Sequence, residues 1–193
     1  LPGLLDRRDG LDFVERLLRT AVEGDYHFAI HNAAFDMAVF CVERPALIPL
    51  VFKAYDEGRI HCTKVRDQML LNARGEMKSD EDGQKTGFTL ADVVKRRFGV
   101  DISESKNDPN AWRLRYGELD GVPLSSWPAD AITYAKDDAL WHLRVFLDQE
   151  REREDWLAEQ TTHGGLVQTR QVIDPLHDEP GQNRAAFALH LMS

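Results

Sequence analysis

Two pairs of residues in this chain have the types and spacing that metal-assisted chemistry uses. In HNAAFDMAVF, residues 31–40, Asn32 and Asp36 stand one helical turn apart inside an apolar run. In ITYAKDDALWHL, residues 132–143, Tyr134 and Asp138 repeat that interval. Residues four apart share a helix face, so each pair sets a carboxylate beside a hydrogen-bonding side chain. Alone, each pair also has an ordinary reading: Asn32 and Asp36 as a cap and a wet face, Tyr134 as packing and Asp138 as a surface charge. Asp137 must point elsewhere and is expected to face solvent or a basic partner. Together the pairs suit divalent cations, since Mg²⁺ prefers carboxylate oxygen and retains water. Two such ions about 4 Å apart can clamp the attacking and leaving oxygens of a phosphodiester. A Tyr hydroxyl beside them can orient the attacking water. Balancing two dications takes about four carboxylates, and the chain offers two good ones.

These residues need elements to hold them. LDFVERLLRTAVE, 11–23, has apolar residues at helical spacing and stops at Gly24. YHFAI, 26–30, reads as a buried strand that runs directly into the Asn32 helix. This puts Asp36 just past the C-terminal end of a strand, where α/β proteins place ligands. ALIPLVFKAYDEG forms a helix ending at Gly58, and RIHCT, 59–63, is a second strand followed by a helix through Leu71. Residues 75–87 are a polar loop. FTLADVVKRRFG is a helix capped by Thr89 and stopped by Gly99. Residues 101–127 are irregular. The longest helical pattern follows Pro128, a first-turn proline, and carries Tyr134 and Asp138. VQTRQVIDPLHDEPGQN is a linker or a short strand and turn, and 182–192 restart a helix. Strand–helix alternation gives an α/β class. Two strands make too small a sheet for so many helices, so further strands are expected, lost at the N-terminus.

The chain has 193 residues, 42% of them hydrophobic, with a formal net charge of −9. That size supports a real core. The acidic balance argues against a simple nucleic-acid coat but does not exclude an enzyme whose carboxylates hold cations against phosphate. No apolar run approaches a membrane span, and LPGLLDRRDG is not a signal peptide. Cys41 and Cys62 lack metal-ligand spacing and read as reduced thiols in a cytoplasmic protein. The first residue is Leu, and AAFALHLMS ends in mid-helix; both ends read as cuts in a longer protein.

N-x-x-F-D at 32–36 and Y-A-K-D-D-A at 134–139 resemble the second and third motifs of the DEDD 3′–5′ exonuclease superfamily, in its Tyr variant. Their separation of about a hundred residues resembles the proofreading domain of phage-type family A (polymerase I-like) DNA polymerases. RIHCTKVRDQMLL, FTLADVVKRRFGVDI and WRLRYGELDGVPLSSWP resemble the segments between and around those motifs, and DEPGQNRAAFALHLMS resembles the entry to the polymerase thumb helix. The resemblance implies a ribonuclease H-like exonuclease fold, a mixed sheet flanked by helices. It divides the chain into a truncated exonuclease domain, 1–160, and a linker with the start of the thumb helix, 161–193. It implies two divalent ions, Mg²⁺ or Mn²⁺, in the intact parent protein, with Asp36 and Asp138 as ligands and Tyr134 positioning the water. Asn32 and Phe35 would contact the 3′-terminal nucleotide, with His31 beside them; a core role for Phe35 is the alternative. The partners would be the 3′ end of single-stranded DNA and the polymerase domain of the same parent chain, with no membrane. The setting would be the cytoplasm, that of the host cell if phage-encoded.

The departure is the first motif, D-x-E. Only 31 residues precede Asn32, and none of them forms it. The one D-x-E, Asp148–Gln149–Glu150, lies on the long helix, where residues two apart do not face each other; it reads as a solvated face. The fragment alone is thus expected to be inactive. A nuclease-dead, DNA-holding domain of a family A polymerase and an RNase D-like exonuclease are the alternatives. Lys95–Arg97 read as a cationic last helical turn in preference to a DNA contact. Trp112–Tyr116, with Arg113 and Arg115, suit either packing or single-stranded DNA.

Overall fold

The computed structural model describes residues 7–77, 86–103, 110–162 and 173–192. The class is mixed α/β, mostly helical around one small parallel sheet. Helix α1 (Arg7–Glu23) buries Leu18 and Ala21 on one face. Strand β1 (Phe28–Ile30) leads through Asn32 into α2 (Ala33–Glu43). A 3₁₀ turn (Pro45–Leu47) and α3 (Ile48–Asp56) then bring the chain to β2 (Ile60–Cys62) and α4 (Thr63–Ala73). Helix α5 (Leu90–Phe98), three short 3₁₀ turns between Trp112 and Ser126, α6 (Ala129–Thr162) and α7 (Glu179–Met192) follow.

The strands pair parallel, Phe28 with Ile60, Ala29 with His61 and Ile30 with Cys62. Parallel neighbours need a crossover, and α2 with α3 supply it. Both strands are three residues long, and among the described residues the sheet has these two strands alone. The helices therefore carry most of the core. Met37, Cys41, Leu47, Val51, Tyr55 and Ile60 pack around Phe187 of α7, which is 0% exposed. Helix α7 begins at Glu179, three residues earlier than the sequence pattern suggests, because Glu179 is buried and bonded there. It accepts from Arg66 Nη1 at 2.7 Å and from Asn183 Nδ2 at 3.2 Å. Asn183 Nδ2 also donates to Ile60 O, fastening α7 to β2. No described helix is long and apolar enough to cross a membrane.

The cap signals hold in detail. Thr89 and Asp92 form a reciprocal capping box on α5, and Gly99 closes it in the left-handed region at φ 68°. The D-x-E segment departs from its reading as a solvated face. Gln149 is fully buried and donates to Thr63 O at 2.8 Å, while Asp148 and Glu150 accept from Arg97 and Arg66. The reason lies opposite, in α4 and α5. Asp67 is fully buried and holds both Arg96 and Arg97, and Arg97 continues to Asp148 and Glu152. A buried carboxylate requires such partners. Arg96 and Arg97 are thus structural ties, and Lys95 pairs with Asp101. Trp112 is buried, Arg115 stacks on its ring and pairs with Glu118, and Tyr116 donates to Ala131 O. Trp112 and Tyr116 pack with Ala131 and Tyr134 of α6; the Arg113 side chain and most of the 75–87 loop lie outside the described residues. Cys41 and Cys62 are buried free thiols.

Candidate functional site

The start of the first sequence motif and the whole of the second meet at one cavity of about 700 Å³. His31 and Asn32 line it from the end of β1, Tyr134 and Asp138 from the first turns of α6, and Lys64 from α4. Phe88, Thr89 and Leu90 at the start of α5 close another side. The strand ends place the first group. β1 and β2 run the same way, so their following helices start side by side and present Asn32 and Lys64 together. Lys64 Nζ lies 3.4 Å from Asn32 Oδ1.

Asn32 is held in a costly conformation. It sits at φ 64°, in the left-handed region, and is the one non-glycine residue there among those described. Asn tolerates this region better than most residues. It stands at the N-cap position of α2 yet makes no side-chain cap bond. Its side chain turns to Lys64 instead. A strained residue that forgoes its local hydrogen bond is a functional signal.

His31 is fixed on both ring nitrogens. Nε2 lies 3.0 Å from Phe88 O, and Nδ1 lies 3.0 Å from Thr63 Oγ1. A carbonyl can only accept, so Nε2 carries the proton and Nδ1 accepts from the Thr63 hydroxyl. Burial, opposed by the Phe88 carbonyl, pushes the imidazole pKa down to about 4. His31 is therefore a neutral brace joining β1, α4 and the start of α5. The resemblance gave it a place beside the substrate, and its ring nitrogens are both used within the protein.

Tyr134 is half-buried, its ring edge-on to Tyr116 with centroids 6.3 Å apart, on a cluster with Trp112 and Trp127. Asp138 is half-buried one turn further, and Asp137 is exposed, as its position on the helix requires.

Asp36 and Phe35 do not line this cavity. Asp36 is half-buried on α2 and makes no hydrogen bond or ion pair among the described residues. Burial alone raises its carboxyl to about 6. Phe35 is 53% exposed, edge-on to His190 at 6.3 Å, which sets aside a core role. Among the described residues no three His, Cys, Asp or Glu side chains gather where they could hold a metal ion. The chain's own described residues thus do not complete a two-cation centre.

Lys64 and Thr63 are the site residues that the motif search missed. They follow β2 directly, as Asn32 follows β1, so the strand-end rule that singled out Asp36 would have found them. Against known proteins, the chain matches no family model, no curated protein and no solved structure.

Proposed function

We propose that this chain handles the 3′ end of single-stranded DNA, as part of a ribonuclease H-like 3′–5′ exonuclease domain of a polymerase I-like DNA polymerase. The observation that carries the reading is convergence. Two motifs about a hundred residues apart in sequence bring His31, Asn32, Tyr134 and Asp138 to one cavity. The cavity size is in the range that takes a nucleotide-sized ligand. The order strand, Asn-bearing helix, strand, helix, and a late Tyr–Asp helix agrees with the resemblance.

Each residue has a task within that reading. Asn32 contacts the terminal nucleotide in the cavity; Phe35, given the same role by the resemblance, is exposed outside its lining. Tyr134 orients a water by its hydroxyl. Asp138 is the carboxylate in the cavity for a cation, which, when bound, would polarise the phosphodiester; Asp36, its fellow ligand by the resemblance, does not line the cavity. The described residues fall short of the carboxylates that two dications need. That same shortage favours a second reading, a DNA-holding domain without nuclease activity.

A labelled oligonucleotide separates the readings. The chain is titrated with 5′-labelled single-stranded DNA and the RNA of the same sequence, with and without Mn²⁺. Preferential DNA binding, weakened by Asn32→Ala, is expected. Release of mononucleotides that Asp138→Ala abolishes would favour the enzyme; binding without release favours the holding domain. Mn²⁺ calorimetry should show weak or no binding by the chain alone. Failure to bind single-stranded DNA removes both readings, and a preference for RNA moves the chain to RNA processing.

A further inference from the structure

We infer that Lys64 is the phosphate-holding residue of this site, the cation that receives the phosphate of a bound nucleotide. The inference deepens the nucleotide-handling reading and rests on it. Four observations converge. Lys64 stands in the first turn of α4, where a positive charge opposes the helix dipole, so its placement costs stability. It has no compensating carboxylate: it makes no ion pair among the described residues, and its one hydrogen bond there is the long contact to Asn32 Oδ1. That contact consumes the amide oxygen of Asn32 and leaves Nδ2 with no partner among those residues. An ammonium and an amide donor therefore stand side by side with a surplus of hydrogens and no acceptor, which is the demand a phosphate oxygen meets. Lastly, Lys64 and Asn32 line both the 700 Å³ cavity and a second one of about 470 Å³ between α4 and α7. A phosphate at these two residues can thus have a nucleoside on either side.

Lys64 makes no ion pair with either carboxylate that lines the larger cavity, Asp92 or Asp138. Asp92 is committed to the Thr89 backbone and hydroxyl. His31, held neutral, adds no competing positive charge. The strained backbone of Asn32 is explained as well, since the left-handed turn is what directs its side chain toward Lys64 and away from the α2 cap.

The test uses the full chain and calorimetric titration with thymidine 5′-monophosphate, thymidine and inorganic phosphate. Wild type is compared with Lys64→Gln and Lys64→Arg, and thermal unfolding is followed for each. Lys64→Gln should weaken thymidine monophosphate at least tenfold, the loss of one charged hydrogen bond. Lys64→Arg should retain most of the affinity. Thymidine should bind equally to all three, and Lys64→Gln should melt no lower than wild type, since the replaced charge opposes a dipole. Equal monophosphate affinity in wild type and Lys64→Gln would overturn the inference, as would a wild type that binds no monophosphate at millimolar concentration. Two outcomes separate it from the reading beneath it. Lys64-dependent binding of inorganic phosphate without DNA binding keeps the phosphate site and removes the nucleic-acid role. DNA binding that is indifferent to Lys64→Gln does the reverse.

Discussion

Replacing Asp36 by asparagine should stabilise the protein, and by an amount that depends on pH. Asp36 is half-buried with no partner among the described residues, and burial raises its carboxyl from 3.8 to about 6. The folded state thus holds the proton more tightly than the unfolded chain does between those values. Stability is greatest below the unfolded pKa and falls as pH rises to about 6, then stays level. Each pH unit of difference corresponds to about 1.36 kcal/mol, so a gap of roughly two units sets a ceiling of about 3 kcal/mol. Solvent reaches part of the carboxylate and screens it, which brings the expected cost to about 1–2 kcal/mol. Asparagine keeps the shape and is neutral throughout. For a chain of this size, Asp36→Asn should raise the melting temperature by about 3–6 °C at pH 7.5 and by almost nothing at pH 4. His31 runs the other way across the same window, so the quantity to measure is the difference between variant and wild type at each pH. A difference that is the same at pH 4 and 7.5, or a variant that melts lower at pH 7.5, would refute the assignment of Asp36 as an uncompensated buried charge.

Asp67→Asn should cost about 3 kcal/mol in urea unfolding, because it leaves the guanidinium groups of Arg96 and Arg97 short of a buried counter-charge; a loss under about 1 kcal/mol would count against a structural network. The His31 ring should stay neutral, with the proton on Nε2, from pH 8 to below pH 5 in nitrogen-detected NMR. Its folded pKa of about 4 lies below the ordinary 6.5, so its contribution is complete above that value and is lost as pH falls toward 4. A midpoint near 6.5 would contradict the brace.

The local signals in the sequence carried well where one residue type has one physical use. Thr89, Gly99 and Pro128 mark helix ends because backbone groups there have few other ways to be satisfied. A meeting of the Asn32–Asp36 and Tyr134–Asp138 pairs was expected from residue type, helical interval and the resemblance, and Asn32, Tyr134 and Asp138 do share a cavity. What was not legible depends on partners far apart in sequence. Nothing in RDQMLL marks Asp67 as fully buried until Arg96 and Arg97 arrive from α5. Gln149 looks like a wet residue between two acids until Thr63 O meets it. Asp36 was paired with Asp138 by residue type, yet the direction in which its side chain points is set by the packing of α2, which periodicity does not encode.

Helix α6 has 34 residues, about 50 Å at 1.5 Å per residue, and it works as a measuring rod. Tyr134 and Asp138 ride near one end. The ion pairs of Arg97 with Asp148 and Glu152 grip it about 15 Å further along the axis, ten residues at the same rise. A helix transmits axial position faithfully, so the grip, with Gln149 on Thr63 O and Glu150 on Arg66, helps to set how far Asp138 projects into the cavity. A one-residue slip at Arg97 would move that carboxylate by about 1.5 Å and turn it by roughly 100°. The calibration of the cleft is thus written in charged residues that never touch it.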